Sequence, residues 1–242
     1  MELYFVRHGQ SSNNRLATTT GSDSGRSDDP TLTDVGIQQA HALARTLTAH
    51  VDDSAQGFRN IYNLSGFGIT HLYCSLMVRA VHTASIIGDA LGLRPVAWPD
   101  LHEVGGIYLD MPDGTRVGQP GKNREFFESR YPRLVLQQEL SREGWHEGRA
   151  YEEIEDREPR VSRWYEDLVL RHGDTKDHVL VVSHGAFLAH FMRLLLRMPL
   201  FSEHAVWFDA ANCSITRVDF GDGFPNVQYM NRFDFIPPEL IT

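Results

Sequence analysis

The stretch Val179-Leu180-Val181-Val182-Ser183 constrains this chain more than any other. Four consecutive apolar, mostly β-branched residues read as a strand buried on both faces. The segment that follows, Ala186 to Leu196, has helical apolar spacing. Such a strand needs helices on each side of its sheet, so the run specifies an α/β architecture with a largely parallel sheet. The same alternation recurs along the chain. Leu3 to Val6 is a first strand, His71 to Ser75 a second and Val96-Ala97-Trp98 a third. Thr33 or Asp34 caps a helix running toward His50, and Arg79 to Leu91 is a helix with Gly92 as its stop. A long helix spans Tyr151 to Arg171, with Pro159 as a point of restart. Ile215–Phe220 and Val227–Phe233 form a closing pair of strands. The expected fold is a three-layer α/β/α sandwich around a mainly parallel central sheet.

At 242 residues the chain suits one domain, 1–242, carrying insertions. Gln10 to Pro30 reads as a polar loop and residues 51–69 as a long connection. Residues 104–150 are loosely patterned, punctuated by Gly105-Gly106, Pro112-Asp113-Gly114 and Pro120-Gly121, with one helix near Asn123–Ser129. They read as a lid inserted over the C-terminal edge of the sheet. The net charge of −9 disfavours nucleic acid and anionic lipid as partners. No apolar run approaches the roughly 18–20 residues of a membrane span. Cys74 and Cys213 read as buried free thiols. The opening Met1-Glu2-Leu3-Tyr4-Phe5-Val6 has no basic leader, so the expected location is cytoplasmic. A two-fold homodimer is the default assembly.

Reactive side chains cluster where strands end. Arg7-His8-Gly9 follows the first strand, Ser75 to Arg79 the second, Glu103 the third and His184-Gly185 the fourth. In open α/β sheets that edge is where sites form. Two guanidiniums select a tetrahedral dianion, because their forked donors match phosphate oxygens. A neutral imidazole is a competent nucleophile near pH 7, and a carboxylic acid beside it can protonate a leaving oxygen. Gly9 and Gly185 permit close backbone approach to a ligand, and the helix after Gly185 points its free N–H groups at the same place. This set suits phosphoryl transfer without a metal. No His-Glu-x-x-His occurs, and neither cysteine has a partner at zinc spacing. A second tripeptide, Arg171-His172-Gly173, ends a helix with no strand before it; it reads as structural, with Gly173 as a C′ glycine.

Arg7-His8-Gly9-Gln10-Ser11 with Asn14 resembles the signature of the histidine phosphatase superfamily, in its phosphoglycerate-mutase-like branch. Leu32-Thr33-x-x-Gly36-x-Gln38-x-Ala40, Ser75-x-x-x-Arg79-Ala80-x-x-Thr83-Ala84, Leu101-His102-Glu103 and Val181-Val182-Ser183-His184-Gly185 resemble its later blocks, in the family's order. The resemblance implies His8 as the nucleophile that becomes phosphohistidine. It implies Arg7, Arg79 and His184 as catalytic ligands of the phosphoryl oxygens, with Asn14 and Gly185 as further phosphate contacts. It implies Glu103 as the general acid and base, and no metal or organic cofactor. Gln10, Ser11, Arg149 and Asn212 are secondary candidates. The chain departs from the family at Met77-Val78, where a Pro is frequent, at His82, and at Arg149, which replaces a Glu.

The function expected from these residues is a phosphatase acting on small phosphomonoesters. Two alternatives stand beside it. One is a phosphoglycerate mutase, although Val104–Gly121 lacks the Arg-, Tyr- and Pro-rich stretch of that group. The other is a non-catalytic phospho-ligand or partner-binding module. The physiological substrate is not legible in the residues.

Overall fold

The computed structural model describes residues 1–49, 60, 62–136, 140–198, 206–221 and 223–242. Its strands and main helices are β1 (Glu2–Arg7), α1 (Ser12–Thr20), α2 (Asp34–Thr48), β2 (His71–Cys74), α3 (Val78–Leu91), β3 (Val96–Ala97), β4 (Tyr108–Asp110), β5 (Arg116–Gly118), α4 (Arg124–Arg130), α5 (Ile154–His172), β6 (His178–Ser183), α6 (Gly185–Leu195), β7 (Ile215–Gly221) and β8 (Phe224–Arg232). Six strands form one sheet in the order β3-β2-β6-β1-β7-β8. The first four in that order run parallel, and β7 and β8 close the sheet antiparallel.

Alternation along the strands builds the three layers. Tyr4, Val6, Leu72, Cys74, Leu180 and Val182 face α2 and α3. Leu3, Phe5, Tyr73, Val179 and Val181 face α5 and α6. The expected sandwich is therefore present, with the apolar run of β6 at its centre. Both cysteines are free and buried. Among the described residues no helix is long and apolar enough to cross a membrane.

Register positions the site. Arg7 lies opposite Ser183, and Cys74 opposite Val182. Residues 8, 75 and 184 therefore leave three adjacent strands at nearly the same level. β3 pairs with β2 and delivers the chain through Leu101 to Glu103 at the same edge.

Several expectations need correction. The polar stretch 10–30 is not all loop, because Ser12–Thr20 is helical. Ser11 accepts the Asn14 N–H while Asn14 Oδ1 accepts the Ser11 N–H, and Gly21 closes the helix at φ 65°. No residue of α1 is buried, so it carries no apolar period to read. The 104–150 segment holds a β4–β5 hairpin besides α4; its strands are three residues each, with the turn closed by the Met111 and Thr115 backbones. Pro159 does not restart α5, which runs through it. The ring forfeits only the bond to the Glu155 carbonyl, on an exposed face. Gly173 is right-handed at φ −53°, so it continues the helical turn and is not a C′ glycine. Helix α2 ends at Thr48, short of His50, and His50 with most of the 51–69 connection lies outside the described residues.

Gly9 has a different use from the one expected. A Cβ there would sit 2.4 Å from the Gly36 carbonyl oxygen, and one on Gly36 would sit 2.2 Å from the Gln10 carbonyl oxygen. The two glycines let the backbone after β1 lie against the first turn of α2. Gly36→Ala is expected to cost about 1–3 kcal/mol through overpacking. Urea midpoints measure this, against Gly221→Ala, whose added Cβ meets open space and should fall within about 0.5 kcal/mol of wild type.

Candidate active site

His8 follows β1 and is 3% exposed. Its Nδ1 lies 2.7 Å from the Gly9 carbonyl oxygen. A carbonyl only accepts, so Nδ1 carries the ring proton and Nε2 keeps its lone pair. Nε2 faces the Arg79 Nε–H at 3.1 Å. Burial first, then the charges of Arg79 and Arg7, hold His8 well below the usual imidazole range. The ring is neutral at neutral pH, with its free nitrogen pointed at a guanidinium.

His184 precedes α6 and is fully buried. Its ring stands edge-to-face to His8 with centroids 5.1 Å apart. Ser75 Oγ accepts the Met77 N–H at 3.1 Å and meets His184 Nε2 at 2.9 Å. A Ser75 hydroxyl that donates to Nε2 leaves the imidazole proton on Nδ1. That Nδ1 has no partner, and neither has the buried Nε of Arg7. Two buried donors without acceptors beside a free imidazole nitrogen cost free energy unless an anion completes them. Gly185 leaves room for this: a Cβ there would sit 3.5 Å from Arg7 Nε. The other end of the Arg7 guanidinium is anchored by NH1 on the Ala210 carbonyl.

Arg79 is set by a residue not read from the sequence. Asp29 is buried, accepts the Val78 N–H at 3.0 Å and lies 3.9 Å from Arg79 NH1. Burial pushes its carboxyl up to about 6, against the pull of Arg79. Its signal was one acidic residue in a polar stretch, with nothing local to mark it.

Glu103 reaches the same edge. Its Oε1 accepts the Val104 and Phe187 N–H groups at 2.9 and 3.0 Å, and its Oε2 accepts Ala186 N–H at 3.2 Å. It therefore caps α6. The amides of Ala186 and Phe187, expected to face a phosphate, are spent on this carboxylate. Arg160 and Glu152, also unmarked in the sequence, grip the loop around it. Arg160 NH1 donates to the Asp100 and His102 carbonyls, its Nε and NH2 pair with Glu152, and Glu152 Oε2 accepts the Gly105 N–H.

The secondary candidates divide. Asn212 donates to the His8 carbonyl at 2.9 Å and to Asn14 Oδ1 at 3.4 Å, so both asparagines brace the loop that carries His8. Ser11 caps α1. Gln10 is buried, and its Oε1 accepts the Thr33 hydroxyl at 2.6 Å, tying the loop to α2. Arg149 is not gathered into this cluster; its side chain is 55% exposed and lies 3.8 Å from Glu147.

Burial also holds His184 and His102 well below the ordinary range, with Arg79 and Arg160 respectively adding to it. The unfolded chain takes up protons on these rings as pH falls below about 6.5, while the folded chain does not. Stability present above that pH is thus lost as pH falls toward the depressed folded values. The slope is about 1.4 kcal/mol per pH unit for each of the three rings. Asp29 opposes this, since its raised value favours the fold below about 6. Urea midpoints at pH 7.5, 6 and 5 should fall steadily; a midpoint that rises through this range would contradict the neutral rings.

The histidine phosphatase superfamily (branch 1) model matches residues 3–232. The chain belongs to that superfamily. A relative described as probable phosphoglycerate mutase GpmB, from Yersinia pestis, is 30% identical over 221 residues, covering 91% of this chain and 85% of its own. Among solved structures, the phosphoserine phosphatase of Entamoeba histolytica in complex with 3-phosphoglyceric acid aligns at TM-score 0.58 and 20% identity, over 98% of this chain and 99% of that one. The alpha-ribazole phosphatase of Shigella flexneri aligns at TM-score 0.58 and 20% identity, over 96% and 97%. At such identities these two likenesses concern the fold.

Proposed function

We propose that this protein is a phosphatase that hydrolyses phosphomonoesters through a phosphohistidine on His8, with Glu103 as general acid and base and no metal in the chemistry. The observation that carries this reading is the free Nε2 of a neutral His8 beside three donors: Arg79 Nε, the unpaired Arg7 Nε and the unpaired His184 Nδ1. Nε2 attacks phosphorus in line while these donors take up the charge on the phosphoryl oxygens. The ester P–O bond breaks, and Glu103 gives its proton to the departing alkoxide. Its Oε2 accepts a single amide, which supports it as the oxygen that exchanges that proton. A water then attacks the phosphohistidine and returns a proton to Glu103, releasing inorganic phosphate and His8.

Segment 104–150 leaves the sheet directly after Glu103 and returns at α5, so we assign substrate choice to it. Arg26 stacks 4.0 Å from the Tyr108 ring centroid, joining the α1–α2 connection to the β4–β5 hairpin. The named activities of the two solved structures support phosphoserine and alpha-ribazole phosphate as the first substrates to test.

The test is turnover of p-nitrophenyl phosphate and a phosphate-ester panel, with trapping of an acid-labile phosphoenzyme and with chelator present. Phosphoenzyme absent during turnover, or activity lost to chelator, overturns the mechanism. The 30%-identical relative supports a mutase as second reading. Interconversion of 3- and 2-phosphoglycerate with a 2,3-bisphosphate primer, faster than phosphate release, would favour it.

A further inference from the structure

At the opposite edge of the sheet lies a cluster that this chemistry does not use. His71 opens β2, His172 ends α5, and Asp177 sits in the turn between α5 and β6. One ligand-type atom from each lies within 4.8 Å of the other two, the one such group of three among the described residues. His172 Nδ1 is 2.8 Å from Asp177 Oδ2, and His71 Nδ1 is 3.9 Å from Asp177 Oδ1. The imidazoles stand edge-to-face with centroids 4.8 Å apart. We propose that His71, His172 and Asp177 form a binding site for a divalent metal ion of the zinc type.

The donor set selects the ion. Two imidazoles with one carboxylate suit Zn²⁺, Co²⁺ or Ni²⁺, whereas Mg²⁺ and Ca²⁺ take oxygen ligands. Three protein ligands leave a position for water. Metal–ligand bonds of about 2.0–2.1 Å place tetrahedral donors roughly 3.3 Å apart. The three ligand atoms now lie within 4.8 Å of one another, so the cluster must close by up to about 1.5 Å to reach that value. His71, with 41% of its side chain exposed, is the ligand free to move inward and to admit the ion.

The surroundings are already those of a ligand set. Tyr73 Oη lies 3.0 Å from His172 Nε2. When an ion replaces the proton on Nδ1, the ring proton moves to Nε2 and donates to that oxygen, the usual outer support of a metal-bound histidine. Thr70 Oγ1 is 2.9 Å from His71 Nδ1 but also reaches the His178 carbonyl, which can take its hydrogen and leave Nδ1 to the ion. Thr175 Oγ1 donates to the His172 carbonyl and accepts the Asp177 N–H, fixing the turn that carries two of the ligands. His71 starts β2 and Ser75 follows its end, so the length of a four-residue strand, about 13 Å, separates this cluster from the phosphate pocket. The ion would join the end of α5 to the start of β2 and take no part in phosphoryl transfer.

The test is calorimetric titration of the metal-stripped full chain with ZnCl₂, and with CoCl₂ followed by visible absorption. One saturable site is expected, with intense cobalt bands. His71→Ala and Asp177→Asn should each weaken it by about 100-fold or more, and Tyr73→Phe by about 10-fold. His8→Ala should leave it intact, which separates this site from zinc captured at the phosphate pocket. His71→Ala should melt like wild type without metal, and turn over p-nitrophenyl phosphate at the wild-type rate with or without chelator. Absence of a one-to-one site, zinc affinity unchanged in His71→Ala, or binding lost in His8→Ala would each overturn the proposal.

Discussion

Replacing His8 with alanine is expected to lower kcat for p-nitrophenyl phosphate by about 10⁴-fold or more, as removal of a covalent nucleophile does in other enzymes. The neighbouring donors cannot take over. Arg7 and Arg79 are guanidiniums, and His184 is engaged at Nε2 by Ser75 Oγ. Phosphoenzyme should vanish together with turnover. His184→Ala removes a donor instead of the nucleophile, so its loss should be smaller, about 10²–10³-fold, with phosphoenzyme still formed. The two substitutions should combine to less than the product of their effects, because without the nucleophile there is little transition-state charge left to stabilise. Urea midpoints separate these losses from unfolding. A folded His8→Ala variant with substantial turnover would end the phosphohistidine account.

The contrast between the two Arg-His-Gly tripeptides shows what was legible in the chain. Arg7-His8-Gly9 follows an apolar strand, and that placement alone puts it at the sheet edge where β2 and β6 also end. Arg171-His172-Gly173 ends a helix and leads toward the start of β6, at the other end of the parallel strands. Periodicity thus locates the strands, their ends and the five principal side chains. It cannot locate elements that bury nothing: α1 is held by hydroxyl and amide caps, and the β4–β5 hairpin is too short to alternate. Nor can it show which distant polar groups meet. Asp29 with Arg79, Arg160 with the carbonyls around Glu103, and His71 with His172 and Asp177 are partners joined by the fold across tens of residues. Gly9 was legible as a close approach but not as an approach to Gly36, because that depends on how α2 docks.

Arg160→Ala should cost about 3–5 kcal/mol of stability. The guanidinium is 4% exposed, bidentate to Glu152 and bonded to two carbonyls. Its removal leaves a largely buried carboxylate without a counterion and two acceptors without donors. Arg160→Lys keeps the charge but not the fork, and should recover part of the loss. The catalytic consequence follows from where those carbonyls lie. Asp100 and His102 precede Glu103, and Gly105, held by Glu152, follows it, so the pair fixes Glu103 from both sides. Loosening it should lower kcat by about 10²-fold with little change in KM, since misplacement by an ångström is costly in the transition state alone. Leaving-group dependence distinguishes this from general damage. A nitrophenolate departs without a proton, whereas in the proposed mechanism an alkoxide takes one from Glu103. Arg160→Ala should therefore lose far more activity on an alkyl phosphate than on p-nitrophenyl phosphate, and Glu103→Gln should show the same asymmetry. Equal losses on both esters in a folded Arg160→Ala variant would mean that Arg160 supports the fold without positioning the acid.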